Sequence, residues 1–128
     1  MENTMIMVSV GAVAIIALFF IIKSLKTDNF ETITQDSLSM KEVVTFFKGQ
    51  EIFRELENNS NLKAVAIRKN ISSGNIKITL ALFDKTNDKI ANTKHGKTYI
   101  VKNLDSDLEK AFGNKEMIVL QWYYYKLL

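Results

Sequence analysis

The sequence contains no cysteine and only one histidine, His95. Without cysteine the chain cannot form disulfides, cysteine-ligated metal sites or a thiol nucleophile, and it cannot carry the lipid of a lipoprotein anchor. A single histidine excludes metal sites that are built from several histidines. These absences do not identify a compartment, but they exclude several common catalytic and metal-binding arrangements.

Against these absences stands one long apolar run near the N-terminus. Residues 5–22 read MIMVSVGAVAIIALFFII, without a charged side chain. An α-helix of this length is about 27 Å long, close to the hydrocarbon thickness of a bilayer. Its apolar side chains would cover every face, unlike those of a helix on the surface of a soluble protein. We therefore expect an uncleaved, single-pass signal anchor over residues 1–25.

A cleaved signal peptide is the alternative interpretation of the same run. It needs a basic segment before the apolar core and small residues at the cleavage site, whereas here Glu2 precedes the run and Lys23 follows Phe-Phe-Ile-Ile directly. Lys23 and Lys26 follow the span, and the positive-inside rule then places the N-terminus outside and the C-terminal domain in the cytoplasm. The excess of lysine over arginine is typical of an AT-rich bacterial genome, so we expect the inner, cytoplasmic membrane of a bacterium.

The rest of the chain divides into a polar tether at residues 26–38 and a small domain at residues 39–128. Ser39 and Glu42 fit a capping box, in which each side chain satisfies a free backbone N–H group at the start of a helix. An apolar stripe at helical spacing follows. Gly49 interrupts that stripe, which predicts either two short helices or one kinked helix.

The apolar pattern then changes to the alternation of β-strands. Residues 62–69 and 76–83 are rich in β-branched side chains and are joined by the turn sequence Ser-Ser-Gly-Asn, which predicts a β-hairpin. Residues 98–102 (TYIVK) predict a third strand, and residues 117–125 (MIVLQWYYY) predict a fourth.

Another helix is predicted between the third and fourth strands. Ser106 and Glu109 fit a second capping box, and Gly113 lies where a helix commonly ends. The predicted fold class is α+β, with the order α-β-β-β-α-β after the transmembrane helix. We expect a mainly antiparallel four-stranded sheet with two or three helices packed on one face.

Residues 91–98 (ANTKHGKT) resemble a phosphate-binding loop except at one position. Gly96, Lys97 and Thr98 match the motif, but Ala91 occupies the place of its first glycine. A phosphate-binding loop leads directly into a helix, whereas strand-forming residues follow Thr98. The segment therefore predicts a turn in a lysine-rich hairpin loop, without a nucleotide.

No catalytic or metal-binding constellation stands out in the sequence. His95 is interpreted as a solvent-exposed loop residue, because no partner for it can be identified. Asp105, Asp107 and Glu109 are close in sequence, but acidic residues are favoured in the first turn of a helix by its dipole. We predict no enzyme activity, no cofactor and no metal.

Basic residues are concentrated in the predicted strands. Between residues 60 and 104, nine lysines and arginines oppose two aspartates, a net charge of +7, whereas the flanking helical segments are acidic. The strands and helices could simply complement one another, or the lysines could contact anionic lipid, or, less favoured, nucleic acid. The candidate residues for anionic-surface contact are Lys63, Lys77, Lys94 and Lys97.

The C-terminus carries four consecutive aromatic side chains. Exposed tryptophan and tyrosine are typical of protein interfaces, although a last core strand could also account for them. The candidate residues for partner contact are Trp122, Tyr123, Tyr124 and Tyr125.

The function that these patterns favour is binding. We expect a single-pass, membrane-anchored, non-catalytic adaptor or assembly subunit that presents its cytoplasmic domain to a protein partner. One alternative is a small membrane-tethered enzyme that uses scattered carboxylates. Another is a basic domain that contacts anionic lipid or nucleic acid at the membrane.

Overall fold

The computed structural model describes residues 3–8, 30–87, 89–91 and 95–126, with side chains over 30–87, 89–91 and 95–120. Within these residues the fold is α+β, as the sequence predicts. The helices are α1 (Met40–Phe47), α2 (Gln50–Asn58) and α3 (Ser106–Phe112). The strands are β1 (Asn3–Val8), β2 (Glu31–Thr34), β3 (Ser37–Leu38), β4 (Leu62–Asn70), β5 (Ile76–Asp84), β6 (Lys89–Ile90), β7 (Lys97–Val101), β8 (Asn103–Leu104) and β9 (Met117–Lys126).

Seven of these strands form one mixed sheet. Its order is β1-β9-β4-β5-β7-β2, and β6 pairs with the end of β5. The pairs are antiparallel except for β2 and β7, which run parallel. A separate parallel pair joins β3 to β8. The sheet is thus mixed but mainly antiparallel, and the predicted number of four strands is wrong, because strands of two to four residues are too short to show alternation in sequence.

The central hairpin is confirmed. Strands β4 and β5 pair in one continuous register from Leu62↔Asp84 to Asn70↔Ile76. The turn between them holds two residues in the left-handed region, Ser73 at φ 72° and Gly74 at φ 74°. Since glycine adopts this region without steric cost, Gly74 fits the backbone of the turn, whereas Ser73 is a non-glycine residue in the same region.

All three helices lie on one side of the sheet, which we call the first face. Val43 and Phe47 of α1 are buried there with Leu108 and Phe112 of α3. The strands contribute alternate residues to this core: Ala64, Ala66, Ile78, Leu80, Leu82, Tyr99, Val101, Ile118 and Leu120. The predicted packing of the helices on one face is thus observed.

The predicted transmembrane helix is wrong. Residues 3–8 are a strand, antiparallel to residues 121–126 of β9, and no helix within the described residues has the length and apolar character to cross a membrane. An apolar run without periodicity is compatible with a buried strand and with a buried helix, so the sequence alone does not distinguish the two. Strand β9 extends beyond Leu120, where its pairing with β4 ends, and β1 satisfies the backbone groups of that extension.

The remainder of the predicted anchor and the first part of the tether, residues 9–29, lie outside the described residues. The orientation predicted from Lys23 and Lys26 therefore stays a prediction. The second part of the predicted tether is integrated into the fold, because residues 31–34 pair with β7 and residues 37–38 pair with β8.

Candidate functional site

A groove opens between the edge strand β2 and helix α1. Its volume is about 430 Å³, and it is lined by both elements and by β7. Ile33 of β2, Phe46 of α1 and Tyr99 of β7 supply its apolar side chains. The first face continues into the groove, since Ile33 and Phe46 also pack against the core cluster.

Strand β2 borders this groove as the last strand of the sheet. It pairs with β7 in the register Glu31↔Lys97 to Thr34↔Ile100, and among the described strands none pairs with its outer edge. The backbone N–H of Gln35 donates to Ile100 at 3.0 Å, on the β7 side. Since successive N–H groups alternate along a strand, those of Thr32 and Thr34 point to the outer edge. They are positioned to pair with an additional strand.

Hydrogen bonds fix one end of the groove. The amide of Gln35 donates to the carbonyl of Ser37 at 2.7 Å and to the carboxylate of Glu42 at 2.8 Å. Ser39 is the N-cap of α1, as predicted, and its hydroxyl accepts from the backbone N–H of Glu42 at 3.1 Å. The end of β2 is thereby attached to the first turn of α1, which fixes their separation.

The groove carries two lysines. Lys97 lies with its Nζ 5.6 Å from the centroid of the Tyr99 ring, and Lys41 is exposed in the first turn of α1. The one carboxylate in the lining belongs to Glu42 and already accepts from Gln35. Formally, two positive charges face one negative charge, so the groove favours a ligand that brings a carboxylate beside an apolar side chain.

The structure does not bring the candidate lysines together. Lys63 and Lys77 lie on the second side of the sheet, near opposite ends of the hairpin, whereas Lys97 belongs to the first face. Lys94 lies outside the described residues. Lys69 is the direct cross-strand neighbour of Lys77, a pairing of like charges that the sequence did not single out.

The candidate aromatic residues form the outer part of β9. In backbone register, Trp122 lies opposite Met7 and Tyr124 lies opposite Met5. The side chains of residues 121–126 are outside the described part of the chain. Their role in partner contact stays a prediction.

His95 is not the exposed loop residue that the sequence predicts. Its side chain is 15 % exposed, and its Nε2 lies 2.5 Å from Oε2 of Glu55, which is on α2. The pair joins α2 to the segment that enters β7. No local sequence pattern could have shown this pair, because Glu55 is distant from His95 in sequence and lies in a segment whose only pattern is that of a helix.

The segment that resembles a phosphate-binding loop, residues 91–98, ends in a strand. β7 begins at Lys97, so the helix that a phosphate-binding loop requires is not formed after Thr98. Gly96 serves packing instead: a Cβ at this position would overlap the ring of Phe30. The close approach of a ring to the backbone accounts for the glycine.

One of the acidic residues near α3 caps that helix, and the other two lie in its first turn. Asp105 is the N-cap, and its Oδ1 accepts from the backbone N–H of Leu108 at 2.9 Å. The predicted cap at Ser106 is one residue too late, since Ser106 is already helical. Gly113 ends the helix as predicted, at φ 56°. Within the residues that the structure describes, no group of three potential ligands could hold a metal ion.

No protein-family model, no curated protein and no solved structure matches this chain. The candidate site therefore rests on geometry. The sequence did not reveal the groove, because β2 has only four residues. The apolar character of Ile33 within a polar segment was the one local signal.

Proposed function

We propose that this domain is a non-catalytic binding module that takes up an extended peptide segment of a partner protein as an extra strand on β2. The observation that carries the proposal is the outer edge of β2, which no strand among the described residues pairs with, beside the groove. Strand addition of this kind combines backbone hydrogen bonds, which supply affinity, with side-chain pockets, which supply specificity.

The peptide would bond to the outward N–H groups of Thr32 and Thr34. Because side chains alternate along a strand, every second side chain of the peptide would enter the groove. There it would meet Ile33 and Phe46. An apolar residue fits this part of the groove, and an adjacent acidic residue would lie within reach of Lys97.

Panning a library of displayed ten-residue peptides on the full chain tests this proposal. We expect bound peptides to share an apolar residue close to an aspartate or glutamate. Every second backbone amide of a selected peptide would bond to β2. N-methylation of those amides should abolish binding, whereas N-methylation of the amides between them, which point away from β2, should preserve it. The absence of any peptide that binds above background would contradict the proposal.

A matched pair of variants at one position tests the mode of binding. Thr32→Pro removes an outward N–H group and leaves the bonds to β7, as proline is tolerated on the outer side of an edge strand. Thr32→Val keeps the N–H group. We expect Thr32→Pro to lower the affinity by about three- to tenfold, the loss of one net hydrogen bond, with an unchanged circular dichroism spectrum. Equal affinities of the two variants would exclude strand addition on β2.

A further inference from the structure

The sequence of β2 is symmetric about its apolar residue. Ile33 has a threonine on either side, Thr32 and Thr34. The polar residues Glu31 and Gln35 come next in the two directions. Reversal of the chain direction therefore exchanges threonine with threonine and leaves Ile33 in place. A strand with this pattern is complementary to an antiparallel copy of itself.

The outer backbone groups of β2 have the same symmetry. The N–H groups of Thr32 and Thr34 point away from β7, and their carbonyls point to the same edge. When two copies of β2 pair antiparallel about Ile33, Thr32 of each copy lies opposite Thr34 of the other. Each of these pairs is of the hydrogen-bonded type, in which the two residues exchange both N–H···O bonds.

We propose that two copies of this chain pair through β2, antiparallel about a twofold axis at Ile33, so that their sheets become continuous. The inference rests on the proposed function, because it identifies the strand that β2 accepts as β2 of a second copy. A twofold axis brings one surface against the same surface of the other copy, as in most homodimers. Strand β2 contains neither proline nor lysine, the residues that commonly protect an edge from such pairing.

The side chains on the first face favour this register. Ile33 would lie opposite Ile33 of the second copy, in a pair whose Cα atoms are about 4.5 Å apart. The groove of one copy would then continue into the groove of the other, where Phe46 adds to the apolar strip. An axis at Thr32 or Thr34 would instead place Ile33 opposite Glu31 or Gln35. Contact between apolar side chains therefore selects the axis at Ile33.

The charges along the paired strands are also compatible. Glu31 would lie opposite Gln35 of the second copy, so like charges do not face each other across the axis. Within its own chain, Glu31 is the cross-strand neighbour of Lys97. Gln35 is hydrogen-bonded to Glu42, beside Lys41 in the first turn of α1. The carboxylate of Glu31 from the second copy would thus enter the end of the groove that carries Lys41.

Disulfide formation in the cysteine-free chain tests the pairing and its register. Thr32→Cys and Thr34→Cys chains, one of them with a tag that changes its mass, are mixed in the reduced state and oxidised slowly. Opposite residues of a hydrogen-bonded pair have Cα atoms about 5.5 Å apart, within the range of a disulfide. We expect the mixed disulfide to exceed each homodisulfide at least about tenfold, against roughly twofold for random pairing, because residue 32 lies opposite residue 34.

A mixture of Thr34→Cys with Ser73→Cys is the matched control. Ser73 is exposed in the turn between β4 and β5, away from the edge at β2. The proposed dimer does not bring residues 34 and 73 together. We therefore expect no excess of the mixed disulfide over random pairing in this control.

Sedimentation equilibrium of the full chain measures the strength of the dimer. We expect Thr32→Pro to weaken dimerisation by about ten- to hundredfold, since one net hydrogen bond is lost in each of the two pairs. Thr32→Val, which keeps its N–H group, should leave dimerisation unchanged. A peptide selected from the displayed library, added in excess, should return the chain to monomers, because it occupies the same edge.

The outcomes separate this inference from the proposed function. A chain that stays monomeric at about 0.5 mM, a concentration at which even a small interface associates, but binds library peptides would overturn the dimer alone. A monomer that binds no peptide would overturn both. A dimer whose disulfides form in the random ratio, or one that persists with saturating peptide, pairs through another surface and would overturn the inference.

Discussion

The carboxylate of Asp105 accepts a hydrogen bond from the backbone N–H of Met40, 65 positions earlier in the chain, at 3.2 Å. The same oxygen accepts from the backbone N–H of Leu108 at 2.9 Å. The first N–H groups of a helix have no partner within that helix. One side chain therefore caps α3 and also satisfies the first residue of α1, which holds the two helices side by side on the first face.

Removal of this shared cap should destabilise the domain more than an ordinary cap does. For Asp105→Ala we expect a loss of about 2 kcal/mol in the free energy of unfolding, the upper part of the range for N-caps. Asp105→Asn should lose less, because its amide oxygen can still accept. Urea denaturation of the full chain measures both.

Asp107→Ala is the control for that experiment. Asp107 lies in the first turn of α3 and is exposed, so it interacts with the helix dipole at about 0.5 kcal/mol. If Asp105→Ala and Asp107→Ala cost the same, the hydrogen bond to Met40 does not contribute.

Arg68 attaches the end of α3 to the sheet. Its guanidinium donates to the carbonyls of Gly113 and Lys115, each at 2.9 Å, and lies 4.9 Å from the centroid of the Phe112 ring. Lysine cannot reproduce two bonds from one planar group. We expect Arg68→Lys to lower the free energy of unfolding by about 1–2 kcal/mol. Arg54→Lys on the exposed side of α2 is the matched control, and an equal effect there would refute this role.

Gly96 is required by the ring of Phe30. A methyl group at residue 96 would overlap that ring, so Gly96→Ala should force a shift and cost about 1–3 kcal/mol of stability. In the double variant with Phe30→Leu the added cost of Gly96→Ala should fall, because a smaller side chain leaves room. Thermal or urea unfolding of the four proteins in the cycle measures the coupling. Strict additivity would contradict the contact.

Asp84 titrates below its usual pKa of 3.8, chiefly because the side chain of Asn87 donates to its carboxylate at 2.7 Å. The backbone N–H of Thr86 also donates, at 2.9 Å. A lowered folded-state pKa stabilises the fold above the unfolded-state pKa, and this contribution is lost as the pH falls through the folded-state value. Asn87→Ala should raise the pKa of Asp84 in an NMR titration, whereas Thr86→Val, which keeps its N–H, should not. An unchanged pKa in Asn87→Ala would exclude the side-chain bond as the cause.

The features that the sequence predicted correctly are local. The hairpin of β4 and β5 follows from alternation and a glycine turn, and the ends of two helices follow from Ser39 and Gly113. The cap of α3 was misplaced by one residue, because Asp105 and Ser106 are both good caps and the choice depends on contact with α1. The contact between His95 and Glu55 joins two segments that only tertiary packing brings together.

The candidate site was hidden for the same reason. Strand β2 has too few residues to show a period, and its parallel pairing with β7 joins segments more than sixty residues apart. Among the residues that line the groove, Lys97 alone was a candidate from sequence, and it was chosen for its charge.

By itself, the sequence determined the α+β class, the central hairpin and the positions of the helices, since these follow from hydrophobic period and capping within short segments. Only the tertiary structure decided which strands lie at the edges and which faces of the sheet are buried. It also decided that residues 3–8 are a strand. Apolar residues lose the same contact with water in a helix, a strand or a membrane, so hydrophobicity alone does not distinguish among them, whereas backbone pairing with β9 does.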